Sequence, residues 1–233
     1  MDILDNLSLR NIHQRLFRNV PELPAPAHPF DDLAADALDT EEADAFLKRL
    51  PPVPDEIDAF YHAIGYPFDP PHFTASRYSD GTFPVWYGAL TSETTIYETA
   101  YHMVMDNLAI EGLSLGTQPI ICHRHVYRVP CQALLIDLVG LENQEPRLVA
   151  DDHRFCQQLA RRLQAEGHPG LLAPSARTQG TNAAIFNQSV LGATEAGEHL
   201  TYVLRFADRH LEVRQDKAPP LRIEIAEWLA LVR

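Results

Sequence analysis

The sequence predicts a mixed α/β domain of the α+β kind, preceded by an N-terminal helical extension. Three observations predict it. Ten of the eighteen prolines fall between Pro21 and Pro71, where fixed φ angles and missing N–H donors favour short helices and turns over sheet. Beyond Pro71, apolar β-type runs alternate with helical patterns. The chain of 233 residues is 45% hydrophobic and 22% charged, enough to bury a core.

In chain order, Ile3, Leu4, Leu7, Leu9, Ile12, Leu16 and Phe17 recur at nearly helical spacing, which predicts a helix over 3–18. Two short helices are expected near 40–49 and 54–64, separated by Pro51, Pro52 and Pro54. Residues 1–70 are therefore assigned to a Pro-rich, acidic extension or cap, and 71–233 to the main domain. Pro84 to Leu90 is expected as a buried strand. A helix follows over 91–108, capped by Thr91 or Ser92, with Glu93 favoured in its first turn. Strands are expected at 120–129 and 132–139, and a helix from Asp151 or Asp152 to near Gly167. Further strands are expected at 170–173, 183–186 and 200–206, with a strand turning into a helix over 221–232. The order of strands does not follow from this pattern.

The formal net charge of −13 argues against a nucleic-acid surface, which needs a basic stripe. Residues 31–60 hold ten acidic and two basic side chains, a solvated face or a patch for a basic partner. No apolar run reaches the length of a membrane span and no signal-like h-region is present, so the expected compartment is the cytoplasm. Cys122, Cys131 and Cys156 have neither disulfide-framework nor zinc-knuckle spacing. His123 and His125, in Cys122-His123-Arg124-His125, would share a strand face, but no second cluster accompanies them and no metal site is expected.

Two segments carry the candidate chemistry. In the first, Arg77 and Tyr78 precede the turn Ser79-Asp80-Gly81, Tyr87 lies in the apolar strand, and Glu98 lies two turns into the next helix, beside Thr94, Thr95, Tyr101 and His102. A strand followed at once by a helix can bring Arg77, Tyr87 and Glu98 to one cleft. In the second, Gly170 to Ala173 runs into Pro174-Ser175-Ala176-Arg177, then Gln179-Gly180-Thr181-Asn182. A hydroxyl at a strand end before a Gly-containing turn suits a small polar ligand, although an ordinary connection looks the same. No G-x-S-x-G elbow and no G-x-G-x-x-G fingerprint is present.

Taken together, Ser76-Arg77-Tyr78, Val85-Trp86-Tyr87-Gly88-Ala89-Leu90, Glu93-Thr94-Thr95-Ile96-Tyr97-Glu98 and Gly170-Leu171-Leu172-Ala173-Pro174-Ser175-Ala176-Arg177 resemble the RES-domain family over roughly residues 70–210. Ten residues separate Arg77 from Tyr87 and eleven separate Tyr87 from Glu98. Arg18, in Leu16-Phe17-Arg18, matches a further family arginine more weakly, and the acidic insert between Arg18 and Arg77 departs from compact members.

The resemblance implies an ADP-ribosyltransferase-like mixed sheet, with NAD as a consumed substrate rather than a bound cofactor. It also implies a toxin neutralised by a helix-turn-helix antitoxin. Within it, Glu98 would stabilise the oxocarbenium-like ribose and Arg77 would grip the pyrophosphate. Tyr87 or Tyr78 would stack on nicotinamide, and Ser175 would bond the ribose or the carboxamide. Arg18 and Asn182 join the substrate-binding set. The first expectation is an NAD glycohydrolase or phosphorylase. The alternatives are a protein ADP-ribosyltransferase and a non-enzymatic acidic binding module. The acceptor, and whether the protein forms a homo-oligomer, stay open.

Overall fold

A computed structural model describes residues 7–22, 60–110, 118–216 and 218–231. Its centre is a pair of long antiparallel strands, β1 (Ser8–Pro21) and β5 (Ile120–Asp137), in register from Ser8 opposite Asp137 to Pro21 opposite Arg124. The helix expected over 3–18 is thus a strand wherever the residues are described. The reason lies in the spacing. Ile12 and Leu16, its two buried apolar residues, are four apart, and a spacing of four returns to one face both in a helix and in a strand. The choice was made by β5, which supplies a partner along the whole length. This also corrects the assignment of 1–70 to a helical cap, because β1 is an interior strand of the sheet.

β4 (Trp86–Ala89), β6 (Gly170–Pro174) and β7 (Thr181–Ile185) complete the centre. The order β1-β4-β7-β6-β5 returns to β1 through the β1–β5 pairing, so five strands close into a ring. All contacts are antiparallel except β5–β6, where Ile136 sits beside Leu171 in parallel register. Each strand sends apolar side chains into the ring: Ile12 and Leu16, Trp86, Val129 and Leu135, Leu172, and Ala183 with Ile185. The Trp86 indole N–H donates to the Ala63 carbonyl at 2.7 Å, tying in the tight turn Tyr61–Gly65. Of the helix expected at 54–64, the described residues hold only this turn; the single-turn helices Tyr66–Phe68 and Pro70–His72 follow it. The helix expected at 40–49 lies outside them, as does nearly all of the acidic stretch 31–60.

β8 (Glu195–Arg205), β9 (His210–Gln215) and β10 (Ala218–Glu224) extend the sheet from the other edge of β5 as an antiparallel wing. A small hairpin, β2 (Ala75–Ser76) with β3 (Ser79–Asp80), stands apart. The two strands expected at 120–129 and 132–139 are one continuous β5. Pro130 does not break it because its carbonyl accepts from Gly192 N–H at 2.8 Å. Its missing donor therefore faces a loop rather than β1, and the β1–β5 ladder loses no hydrogen bond.

Two helices cover the outside. α1 (Ser92–Ala109) begins at Thr91, whose side chain accepts from Thr94 N–H at 3.2 Å, as the sequence predicts. It lays Ile96, Ala100, Met103 and Val104 against Val126 and the wing residues Leu200, Tyr202, Leu204, Leu211 and Val213. α2 (Arg154–Ala165) follows Asp152, which accepts from Arg154 N–H, and ends before Gly167 at φ +85°. It buries Cys156, Leu159, Ala160 and Leu163 against Leu171, Ala173 and Ala184. β6 is therefore buried on both faces, Leu172 in the ring and Leu171 under α2, which is why it reads as an unbroken apolar run. A last short helix, α3 (Ala226–Ala230), follows β10 as expected. No helix among the described residues is long and apolar enough to cross a membrane.

Candidate active site

Where α1 crosses the rim of the ring, a cleft of about 500 Å³ opens between α1, β1, β4, β2 with its turn into β3, the segment before α2 and the loop after β6. Glu98 sits in it. Its position follows from α1: with Ile96, Ala100 and Met103 committed to the wing, Glu98 is turned toward β7 together with Thr95, Tyr101 and His102, and these four line the cleft. Ser175 Oγ and Asn182 Nδ2 each donate to Glu98 Oε1 at 2.6 Å. Oε2 takes no hydrogen bond from the described residues and is not closed off from solvent. The carboxylate is thus held by one oxygen and offers the other to the cleft.

Ser175 does not line the cleft. It is 7% exposed and its hydroxyl is fully used, donating to Glu98 and accepting from the Arg177 and Thr178 N–H groups at 3.0 and 3.2 Å. Its place is behind the carboxylate, a correction to the expectation that it bonds the ribose or the carboxamide. Asn182 both lines the cleft and holds Glu98. The turn joining them packs tightly on the first turn of α1. A Cβ on Gly180 would lie 2.8 Å from Thr94 Cγ2, and only glycine allows that approach.

Arg77 and Tyr87 reach the same cleft. Arg77 donates to the Ala150 and Leu148 carbonyls at 2.6 and 3.3 Å, neutral partners, and no described carboxylate pairs with its charge. The Tyr87 hydroxyl accepts from Tyr78 N–H at 2.8 Å and shares a hydrogen bond of 2.9 Å with Ser76 Oγ. Burial pushes this phenol up to about 12, although Ser76 and the Tyr78 N–H oppose the rise, so the group stays protonated at neutral pH. Tyr78 contributes its backbone. Its ring is 2% exposed and packed in the core with Cys156 and Phe83, so it is not free to stack on a ligand.

Arg18 enters from β1, its Nη1 donating to the Tyr87 carbonyl at 2.6 Å and its guanidinium 5.6 Å from the Trp86 ring centre. Its Nε is buried without a partner among the described residues. Burial, and then the nearby Arg124, lower it to about 10. Arg124 is held by Asn19, through Nε to Oδ1 at 2.7 Å and Nη2 to the carbonyl at 3.1 Å.

Several lining residues were not read as site residues from the sequence: Asn19, Thr99, Asp151, His153 and Arg177, whereas Tyr101 and His102 line the cleft beside Glu98 as the helix spacing predicts. Arg177 closes the segment that begins at Gly170, but a charged residue after a strand gives no sign of direction until the turn is built. His125 is not part of this cleft. It stacks between Tyr127 and His199 at ring distances of 4.2 Å.

A model of the RES domain matches residues 46–205. The chain belongs to the RES-domain family. No curated protein matches it. Among solved structures it is similar to a chain in the crystal structure of the M. tuberculosis MbcT–MbcA toxin–antitoxin complex. That match has 14% identity, a TM-score of 0.42, and covers 85% of this chain and 88% of that one. In this RES domain the matched span includes Arg77, Tyr87, Glu98, Ser175 and Asn182, while Arg18 and all of β1 lie before it.

Proposed function

We propose that this RES domain degrades NAD by breaking the nicotinamide–ribose bond. The carrying observation is the half-held Glu98 carboxylate, fixed at Oε1 by two donors and open at Oε2, in a cleft whose other charged groups are mostly cationic. When the C1′–N bond breaks, nicotinamide leaves with the bonding pair and positive charge develops on the ribose. A fixed carboxylate that accepts from a ribose hydroxyl stabilises that charge without having to reorganise. Arg77 and Arg18, with no carboxylate partner among the described residues, suit the pyrophosphate. Tyr87, protonated and fixed by Ser76 and Tyr78, forms a wall against which a flat ring can rest. Water or phosphate then adds at C1′ and gives up a proton.

In the same reading the protein is a toxin held by a helix-turn-helix antitoxin, and NAD is substrate, not cofactor. Purified protein incubated with NAD, with and without phosphate, is expected to release nicotinamide with ADP-ribose or its 1″-phosphate as the second product. Glu98→Gln keeps the shape and leaves Ser175 and Asn182 in place but removes the charge, and a loss of at least about 100-fold in kcat is expected. Full activity in Glu98→Gln would remove the carboxylate from the mechanism. ADP-ribose found attached to protein, with little released, would favour the transferase instead.

A further inference from the structure

At the cleft edge farthest along the β6–β7 turn, Arg177 lies flat on Tyr101, its guanidinium carbon 3.4 Å from the ring centre. Its Nη2 donates to Asp151 Oδ1 at 2.9 Å. The two partners are unequally placed. The Arg177 side chain is 13% exposed and that of Asp151 is 62% exposed. Asp151 also belongs to the short segment whose Leu148 and Ala150 carbonyls hold Arg77, and His153, two residues on, lines the same cleft. His153 is lowered by burial and then by Arg77, with Arg177 and His102 adding to the effect and Asp151 opposing it. Four basic side chains thus converge around one exposed carboxylate.

We propose that Arg177 is a phosphate-binding residue of this cleft and that Asp151 occupies its guanidinium only until a ligand phosphate displaces it. With the Asp151 side chain 62% exposed, water screens the pair from that side and it is worth about 1 kcal/mol, so little opposes the exchange. A guanidinium already stacked on an aromatic face loses little freedom when it grips a phosphate, and its forked N–H groups match the phosphate oxygens. Asp151 itself repels an incoming dinucleotide. As a partner of Arg177 it therefore limits affinity instead of adding to it. The inference rests on the proposal that NAD binds here and adds the residue that takes one of its phosphate groups.

The two halves of the ion pair are expected to act in opposite directions. ADP and adenosine are titrated by calorimetry into wild-type protein, Arg177→Ala, Arg177→Met and Asp151→Asn. Arg177→Ala weakens ADP by about 10- to 100-fold, as loss of a charge-assisted contact does, and leaves adenosine unchanged. Arg177→Met keeps bulk over Tyr101 without charge and loses ADP equally. Asp151→Asn tightens ADP by about two- to fivefold, the value of a pair that water screens on its Asp151 side. Competition by inorganic phosphate that Arg177→Ala abolishes would assign the position to a free phosphate, and no competition assigns it to the nucleotide's own. If both substitutions weaken ADP, the pair is a structural brace and the proposal fails. It also fails if Arg177→Ala binds ADP as tightly as wild-type protein does, or if wild-type protein shows no preference for ADP over adenosine. These titrations do not depend on turnover, so an inactive protein that still binds ADP through Arg177 would overturn the NAD-cleaving reading alone.

Discussion

Removing the Ser175 hydroxyl separates two roles that the sequence could not tell apart. As a substrate contact, Ser175 would act on binding. As built, it is 7% exposed and spends its one proton on Glu98 Oε1 at 2.6 Å, with two backbone N–H groups filling its lone pairs. Ser175→Ala removes one of the two donors to a charged acceptor, and hydrogen bonds to charged groups contribute about 1.5–3 kcal/mol. If the bond holds Glu98 where the ribose charge develops, that energy appears in the barrier, and kcat falls by roughly 10- to 100-fold at 1.36 kcal/mol per decade. KM for NAD changes by less than about threefold, because the hydroxyl never meets substrate. Initial rates of nicotinamide release over a range of NAD concentrations decide it. A rise in KM with kcat retained would refute the positioning role and restore the direct contact expected from sequence. An unchanged kcat would show that Asn182 alone suffices.

Gly180→Ala forces a Cβ to within 2.8–2.9 Å of Thr94 Cγ2 and Cβ, and is expected to cost about 1–3 kcal/mol by overpacking and to lower kcat; urea denaturation and turnover check the two parts. Trp86→Ala empties a site that is 0% exposed at the centre of the ring and strands the Ala63 carbonyl, for an expected loss of about 3–5 kcal/mol in the same denaturation assay. His125 and His153 are both held below the ordinary histidine value, His125 by burial and then His199, His153 by burial and then Arg77. The unfolded chain therefore takes up these protons first, and stability should fall as pH drops through about 6.5 and below. The double variant His125→Gln/His153→Gln should flatten that slope between pH 7 and 5, and an unaltered slope would show that other groups set it.

The parts of the fold legible in the sequence are those where local chemistry and long-range packing agree. Thr91 can cap only a helix that starts at Ser92, and Ile96, Ala100 and Met103 then fix which way Glu98 faces. That is why the convergence of Arg77, Tyr87 and Glu98 could be anticipated. β1 was not legible, because Ile12 and Leu16 satisfy two periods at once and the deciding partner lies more than a hundred residues away. β9 was missed although His210-Leu211-Glu212-Val213 alternates, since so short a run stands out only once β8 and β10 flank it. Tyr78 and Ser175 were placed one layer too far forward. A sequence names the side chain near a site but does not give its depth, which here is set by α2 for Tyr78 and by the Gly180 turn for Ser175.

The geometry at Glu98 depends on a contact that involves neither charge nor hydrogen bond to the carboxylate. Ser175 just beyond β6 and Asn182 on β7 are joined by the turn through Gly180, while Glu98 stands on α1, so their bonds exist only while turn and helix stay in contact. Gly180 meets Thr94 at that seam, and Thr94 is tied to the helix cap by a hydrogen bond of 2.8 Å between its hydroxyl and that of Thr91. The cap that starts α1 therefore also fixes the distance from α1 to the β6–β7 turn. Thr91→Val tests this coupling. It removes the cap at a cost of about 1 kcal/mol in helix stability, and if the seam transmits that loss to Glu98, kcat falls as well, even though Thr91 does not line the cleft. A variant that is less stable yet turns over NAD at the full rate would show that Ser175 and Asn182 hold Glu98 without help from the seam.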